Sequence, residues 1–542
     1  VAVDAAPRDE REAGRVRLGV DETPPSFRRV RDPRAATMAS RRDLLEEVSR
    51  ASARVGAHMA SDATGLELVA LVVVCGFCVV LQALMARRGA VKHGAGDHVA
   101  FQRLRRRYNA VYALGTFGDW IQGAYLYALY REHGFEMADI GYIFVLGYFT
   151  SATLGTYVAS LGDEHGHRKL VMLYGVSYGI ACVAMRWSNL AVLLVSRVLS
   201  GVAYSLLFSS FESWAITEAD RVRVDRRYLV QLFSAATFFN AVSAVAAGIA
   251  GNAVVVAPDA QRPPPLGGNR YAPAFDVGAV SLFACALGAR TWWAEAGQKG
   301  GAEAEAEARE GGSRDVSQTS PPAEQKSEGV FRAAKMVLAE PALLSLGSMN
   351  SLYEAALHVF VFVWTPALER RRDLALAGLG AGQPKPEVPH GLVFSLFMAC
   401  KMAGSQVFAL IGDRVPFERT LRLVFTGSAV AFAVPLLASP NGYVAALFSF
   451  CAFEFGLGLY WPAMAVARAE LVPNHLRATM TSVFRVPLNV LVMACLAFAG
   501  NADEPSFLMM CFSLMSFCLL FAGRKPRAAA EKTVQAAVAP GV

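Results

Sequence analysis

Charge is scarce in this sequence. Only 18% of its 542 residues are Asp, Glu, Lys or Arg, where a soluble protein carries about 25%. Hydrophilic cysteines are missing altogether. Cys75, Cys78, Cys182, Cys285, Cys400, Cys451, Cys495, Cys511 and Cys518 all fall in apolar runs, so no disulfide framework is expected. Cys75 and Cys78 spell C-x-x-C, but no His or second pair lies near them, and they read as small buried hydrophobes. No nucleotide-binding loop of the form G-x-x-x-x-G-K-[ST] occurs, and no nucleophile with its base can be read from the loops. The chain is therefore expected not to be an enzyme, to use no cofactor and to draw on no ATP. The net charge of +7 sits mostly in short loops between apolar runs. It marks orientation in a membrane and not a nucleic-acid partner.

What the sequence has is apolar length. Hydrophobic residues make up 54% of it, and runs of about 20 residues, enough to cross a bilayer core of about 30 Å as helices, recur from Leu66 onward. The expected spans are 66–86, 108–130, 138–161, 170–187, 190–217, 229–256, 273–293, 341–366, 389–411, 420–438, 442–467, 477–499 and 506–523. The expectation is an all-α polytopic membrane protein with lipid as its surroundings. Residues 1–65 form a polar tail; the chain begins at Val1, with Met38 and Met59 as candidate starts. The low-complexity segment 294–335, with its Glu-Ala repeats, reads as a flexible linker. It divides the chain into six-helix halves, 108–293 and 336–523, with 66–86 as an extra span and 524–542 as a C-terminal tail. Arg and Lys concentrate in the loops at 87–107, 168–169, 221–227, 414–419 and 524–527, all on one side by span count. That side is expected to be cytosolic, as is the linker. Arg370–Arg372 falls on the other side and breaks the pattern.

The two halves share motifs. "FSSFES" (208–213) and "FCAFEF" (450–455) place Glu212 and Glu454 in matching spans, and "LGTFGDWIQGA" (114–124) aligns with "LGSMNSLYEAA" (346–356). The same helix offset in both pairs indicates a duplicated six-helix unit, the arrangement of major-facilitator transporters, which bind substrate between halves near the midplane. "ASLGDEHGHRK" (159–169) resembles the loop signature of that superfamily, with Asp163, Gly166 and Arg168 matching. Its counterpart in "ALIGDR" keeps Asp413 and Arg414. In the family this loop gates the cytosolic side. His165 and His167 lack a third ligand nearby, so no metal is expected there.

Seven ionisable groups fall inside expected spans: Asp119, Arg197, Glu212, Glu354, Lys401, Glu454 and Arg485. At about 3 kcal/mol each, leaving them all in lipid would cost on the order of 20 kcal/mol. They must pair or line a wet pathway. Asp119 with Gln122, and Glu354 with His358, lie at helical spacing on one face each, and Tyr125 extends the first. Arg485 and Asn489 share a face, with Pro487 between them. Arg197 and Gly201 match the Arg and Gly usual in the fourth helix of major facilitators. Arg197, Asp163 and Arg168 read as gating or structural. Lys401 either pairs structurally or faces the pathway. Trp120, Trp214, Trp364 and Trp461 either pack or stack on a ligand.

Four segments in order, "GDWIQGAYLYALY" (118–130), "LLFSSFESWAITE", "FVFVWTPAL" (360–368) and "GLYWPAM" (458–464) followed by "FRVPLN" (484–489), resemble the molybdate-anion transporter family, the eukaryotic major-facilitator branch of the domain-containing protein five type. The resemblance runs from about 66 to 523, and algal and plant members are the most similar. Lys401 departs from it, standing where a small or polar residue is expected. The resemblance implies secondary active import of molybdate, a tetrahedral dianion, at the plasma membrane, by alternating access between two halves. On that reading Arg485, with Lys401 or Arg197, donates charge-assisted hydrogen bonds to oxyanion oxygens. Asn489, Gln122, Tyr125 and Asn240 supply neutral donors, and Asp119, Glu354 or Glu454 carries a coupled proton. The same fold carrying sulfate, another oxyanion or an organic solute, or acting as a nutrient sensor, is the alternative. Twelve helices can enclose a pathway in one chain, so a monomer is expected.

Overall fold

The computed structural model describes residues 63–88, 98–160, 165–222, 226–255, 268–293, 334–377, 387–412, 414–439, 442–472, 477–498 and 502–522. Residues 1–62 of the expected tail, 294–333 of the expected 294–335 linker and the C-terminal tail lie outside them. The described chain is helical. Ahead of the halves stands α1 (Ala63–Arg88). The N-terminal half holds α2 (His98–Gly123), α3 (Leu126–Glu132), α4 (Met137–Thr150), α5 (Thr156–Ser160), α6 (His167–Ala184), α7 (Leu190–Arg221), α8 (Arg226–Val255) and α9 (Ala272–Trp292). The C-terminal half holds α10 (Pro341–Leu376), α11 (His390–Ile411), α12 (Phe417–Leu437), α13 (Tyr443–Leu471), α14 (Arg477–Ala497) and α15 (Glu504–Ala522).

Among the described residues, ten helices are long and apolar enough to cross a membrane. Three expected spans fall outside those ten: 108–130, 477–499, and 170–187, which becomes α6, an 18-residue helix whose first turn is His167, Arg168 and Lys169. The span at 108–130 becomes α2 plus α3, broken by a turn at Ala124 and Tyr125 in which the Tyr125 amide donates to the Gln122 carbonyl at 3.0 Å. The span at 477–499 becomes α14, whose apolar stretch Val483–Ala497 is shorter than a full span and carries Arg485 and Asn489. A π-helical turn at Ser151–Gly155 joins α4 to α5.

The halves repeat one packing plan. In the first, α6 packs on α7 and α9, and α2 on α8 and α9. In the second, α12 packs on α13 and α15, and α10 on α14 and α15. The halves meet along two seams, α4 against α14 and α8 against α11.

The extra helix α1 precedes the N-terminal half in sequence yet lies along α11 of the other half. Cys78 Sγ donates to the Ala399 carbonyl at 3.6 Å, Gln406 donates to Gln82 at 3.3 Å, and the Tyr443 hydroxyl donates to the Glu67 carboxylate. Val69, Val72, Val73 and Val80 of α1 stay more than half exposed, as a lipid-facing stripe does.

The Arg370–Arg372 exception to the charge pattern has a structural cause. Helix α10 continues to Leu376, ten residues past the expected end of its span, and carries these arginines into the protein. Arg371 is buried and donates to Glu504, to the Pro435 carbonyl at 3.0 Å and to the Ala367 carbonyl at 3.1 Å. Arg370 reaches the same carboxylate at 3.3 Å, and Arg372 lies over the Tyr443 ring at 5.6 Å. These charges tie α10, α12, α13 and α15 together and are not free to act as a topology signal. Removing one partner of a buried pair leaves the other uncompensated, at about 3–5 kcal/mol. Arg371→Ala should therefore lower the melting temperature of the purified protein sharply, while Arg370→Ala, at the exposed side of the same carboxylate, should change it little. Equal small shifts in both would contradict this.

Candidate functional site

Glycine decides how closely two site helices approach. A Cβ on Gly458 of α13 would collide with the Lys401 carbonyl oxygen, and one on Gly404 of α11 with that of Phe455. Backbone-to-backbone contact at this crossing sets Lys401 beside Glu454, one helical turn before Gly458. Glu454 is 3% exposed, and its Oε2 has no hydrogen-bond partner. The Lys401 ammonium stands 5.3 Å from the ring centre of Trp120, across the junction of the halves. Trp120 is held in place by its own polar edge: Nε1 donates to Asn240 Oδ1 at 2.6 Å. Its ring also lies 5.9 Å from Phe394. Next to it, Asp119 accepts from the Tyr178 hydroxyl at 2.8 Å.

A second group lies on α10, α13 and α14. Glu354 is buried, with Asn350 and Tyr460 beside its carboxylate and Arg468 and Arg485 within electrostatic range. Arg468 donates to Asn350 Oδ1 at 3.0 Å. One turn on, His358 Nδ1 lies 2.6 Å from the Glu354 carbonyl oxygen, and its ring meets Tyr148 of the opposite half edge-on at 5.1 Å. Arg485 is exposed and, among the described residues, makes no hydrogen bond or ion pair. Asn489, one turn further, is half-buried. Tyr204 of α7 keeps 38% of its surface exposed although Tyr148, Asp119, Arg485 and Glu354 all act on its hydroxyl. Trp461 and Glu212 are also exposed.

The opposite end is shut. Arg270, just before α9, bridges the halves: it donates to Glu132 at 3.0 Å and to Glu387, and lies over the Tyr271 ring at 4.8 Å. Burial opposes its charge, but the hydrogen bond to Glu387 and the surrounding carboxylates outweigh that and raise its pKa. Behind this latch His390, 5% exposed, sits within about 6 Å of the rings of Tyr125, Tyr271 and Trp364, with Nε2 2.8 Å from Glu369. Among the described residues these contacts join the two halves at the end away from the arginine-rich face.

Other sequence candidates land elsewhere. Gln122 is buried and spends its amide on the Gly118 carbonyl at 2.9 Å, within its own helix. Tyr125 belongs to the closed end. Arg197 packs into α4, 5.2 Å from the Phe144 ring. Gly166, at φ 88°, caps α6 in a conformation that favours glycine. Arg168 donates to the Trp293 carbonyl at 3.2 Å, and Arg414 is exposed. Asp163 and Asp413 lie outside the described residues. Among the described residues no group of three or more His, Cys, Asp or Glu is placed to hold a metal ion. Sequence reasoning missed Tyr148, Tyr178, Tyr204 and Arg468. Only Arg468 left a signal, as a charge one residue beyond an expected span.

Comparisons with known proteins agree on the class. The family model described as sugar transporters, 12 TM, matches residues 69–307 and 313–459. The chain is 28% identical over 449 residues to the molybdate-anion transporter of Danio rerio, covering 81% of this chain and 88% of that protein. It is 27% identical to the molybdate-anion transporter of Xenopus tropicalis, over 78% and 85% of the two chains. Among solved structures it resembles a peptide transporter POT in complex with sulfate, with TM-score 0.56, 15% identity and 80% and 94% of the chains covered. It also resembles a D-xylose-proton symporter, with TM-score 0.54, 11% identity and 78% and 97% covered. At those identities the structures speak for the fold.

Proposed function

The chain belongs to a twelve-span family of the major facilitator superfamily, of the molybdate-anion transporter type, and is an integral membrane transporter and not an enzyme; from that premise we propose that it imports molybdate by alternating access between its halves. The observation that carries the cargo is the pair Lys401 and Arg485. Both are cations on the central surface, and neither makes a hydrogen bond or ion pair among the described residues. A neutral solute such as a sugar would bring no charge to either, and Lys401 already covers a face of Trp120. A tetrahedral dianion accepts from both, and the guanidinium fork matches two of its oxygens. Asn240 and Asn489 supply neutral donors at the edges.

The acids then have a task. Moving a dianion inward against an inside-negative potential costs about 4.6 kcal/mol per 100 mV. Two protons on the same journey cancel the charge, and a third makes the potential a driving force. Asp119, Glu354 and Glu454 are three carboxyls on the pathway. Protonation of Glu454 removes the counter-charge facing Lys401 and releases that ammonium to the anion. This reading supports proton-coupled import at the plasma membrane by a single chain.

The test is uptake of labelled molybdate at nanomolar concentration by cells lacking their own high-affinity uptake. Expression of this chain should give uptake that excess sulfate leaves largely intact, that tungstate, the nearest oxyanion in size, lowers, and that a protonophore abolishes. Full inhibition by sulfate would reassign the cargo. Uptake indifferent to the protonophore would remove the carboxyls from coupling.

A further inference from the structure

Helix α2 begins at His98, ten residues before the expected start of its span, and this extension carries Arg103, Arg105, Arg106 and Arg107. No carboxylate occurs in α2 before Asp119. Among the described residues none of the four arginines makes an ion pair. The backbone beneath them is fixed. Phe101, Leu104 and Tyr108 are buried on the other face. Phe101 lies 4.9 Å from the Tyr228 ring of α8, Tyr108 stacks on Trp293 at 6.0 Å, and Trp293 Nε1 donates to the Arg107 carbonyl at 3.1 Å. Arg105 is half-buried over Phe101 at 5.9 Å.

The remaining three arginines are exposed and lie at i, i+3 and i+4, on one stripe of the helix. Deeper members of that stripe are Ala110, which is exposed, and Leu114 and Phe117, which are half-buried. The stripe turns away from Tyr112 and Asp119, which face α7 and α6. Arg103, Arg106 and Arg107 therefore continue the lipid-facing side of α2 and not the pathway side. Their depth fits as well. At 1.5 Å per residue they stand within about 8 Å of Tyr108, where the apolar span begins, and the headgroup layer is about 5–8 Å thick.

We propose that the Arg103–Arg106–Arg107 stripe is a binding site for the phosphate of an anionic phospholipid in the leaflet on the arginine-rich face. Guanidinium forks on a rigid helix, at phosphate depth and without a counter-ion among the described residues, suit a phosphodiester oxygen pair. The site anchors α2 at its lipid side while Asp119 and Trp120 of the same helix face the pathway.

The experiment uses the full chain, purified and exchanged into mixed micelles containing phosphatidylserine or phosphatidylcholine. Retained lipid is counted by intact-complex mass spectrometry, and thermal unfolding is followed in parallel. Wild type should retain phosphatidylserine in preference to phosphatidylcholine and melt higher in its presence. At about fivefold per arginine near a membrane surface, an R103Q/R106Q/R107Q triple variant should bind phosphatidylserine about a hundredfold more weakly, with its melting temperature in phosphatidylcholine unchanged. The triple lysine variant should recover part of the preference. Equal retention of the two lipids by wild type, an unchanged preference in the glutamine variant, or equal stabilisation by inorganic phosphate alone would each overturn the proposal.

Discussion

Arg485→Ala should lower the initial rate of molybdate uptake at least tenfold with the amount of protein at the membrane unchanged. The side chain is exposed and among the described residues makes no hydrogen bond or ion pair, so its removal costs little stability. What it removes is a pair of charge-assisted hydrogen bonds to the cargo. Bonds to charged groups contribute about 1.5–3 kcal/mol each, and about 1.4 kcal/mol is a factor of ten. Two such bonds lost together amount to about 3–6 kcal/mol, so the expected loss is about 100-fold or more, appearing as a raised KM. Arg485→Lys keeps the charge and loses the fork, and should fall between. A variant that carries molybdate at the wild-type rate would take Arg485 off the pathway.

Gly391→Ala should abolish transport while leaving a folded protein. Gly391 opens α11, where that helix crosses α8 of the opposite half. An added Cβ would run into the Gly248 carbonyl oxygen and the Tyr125 hydroxyl, both from the N-terminal half. A backbone oxygen has no rotamer with which to move aside. On the alternating-access reading proposed above, the substitution thus hinders closure of the latch end without touching the packing inside either half. Gly458→Ala makes the contrast: its clash is with Lys401 of its own half, so it should lower the melting temperature as well. Uptake assays and thermal unfolding on the two variants separate these effects. Retained uptake in Gly391→Ala would mean that the crossing opens wider than the closed state described here.

The residues differ in how plainly the sequence announces them. Asp119, Glu354 and Glu454 stand out because a carboxylate inside an apolar run is costly wherever it occurs, and that cost is visible without any partner. Their environments are not visible. Tyr178 reaches Asp119 from 59 residues away, and Lys401 reaches Trp120 from the other half, where only packing decides which face meets which. The latch is hidden for the same reason: Arg270 and Glu387 are 117 positions apart and look like ordinary loop charges. Gln122 shows the reverse error. Its spacing from Asp119 implied a shared polar face, but a side chain in a helix that breaks two residues later can bond back to its own backbone, and it does. Arg370–Arg372 misled the charge pattern because hydropathy ends a span where lipid contact ends, whereas the helix continues for as long as protein surrounds it.

The central claim, that this chain moves molybdate through the surface between its halves, is tested most directly with purified protein in sealed proteoliposomes. Uptake of labelled molybdate would be followed without ATP, with and without an imposed pH gradient, for wild type and Arg485→Ala. The account predicts uptake by wild type that the acid-outside gradient accelerates and that the variant lacks. Vesicles carrying wild type that take up no more molybdate than protein-free vesicles, in either condition, would contradict it.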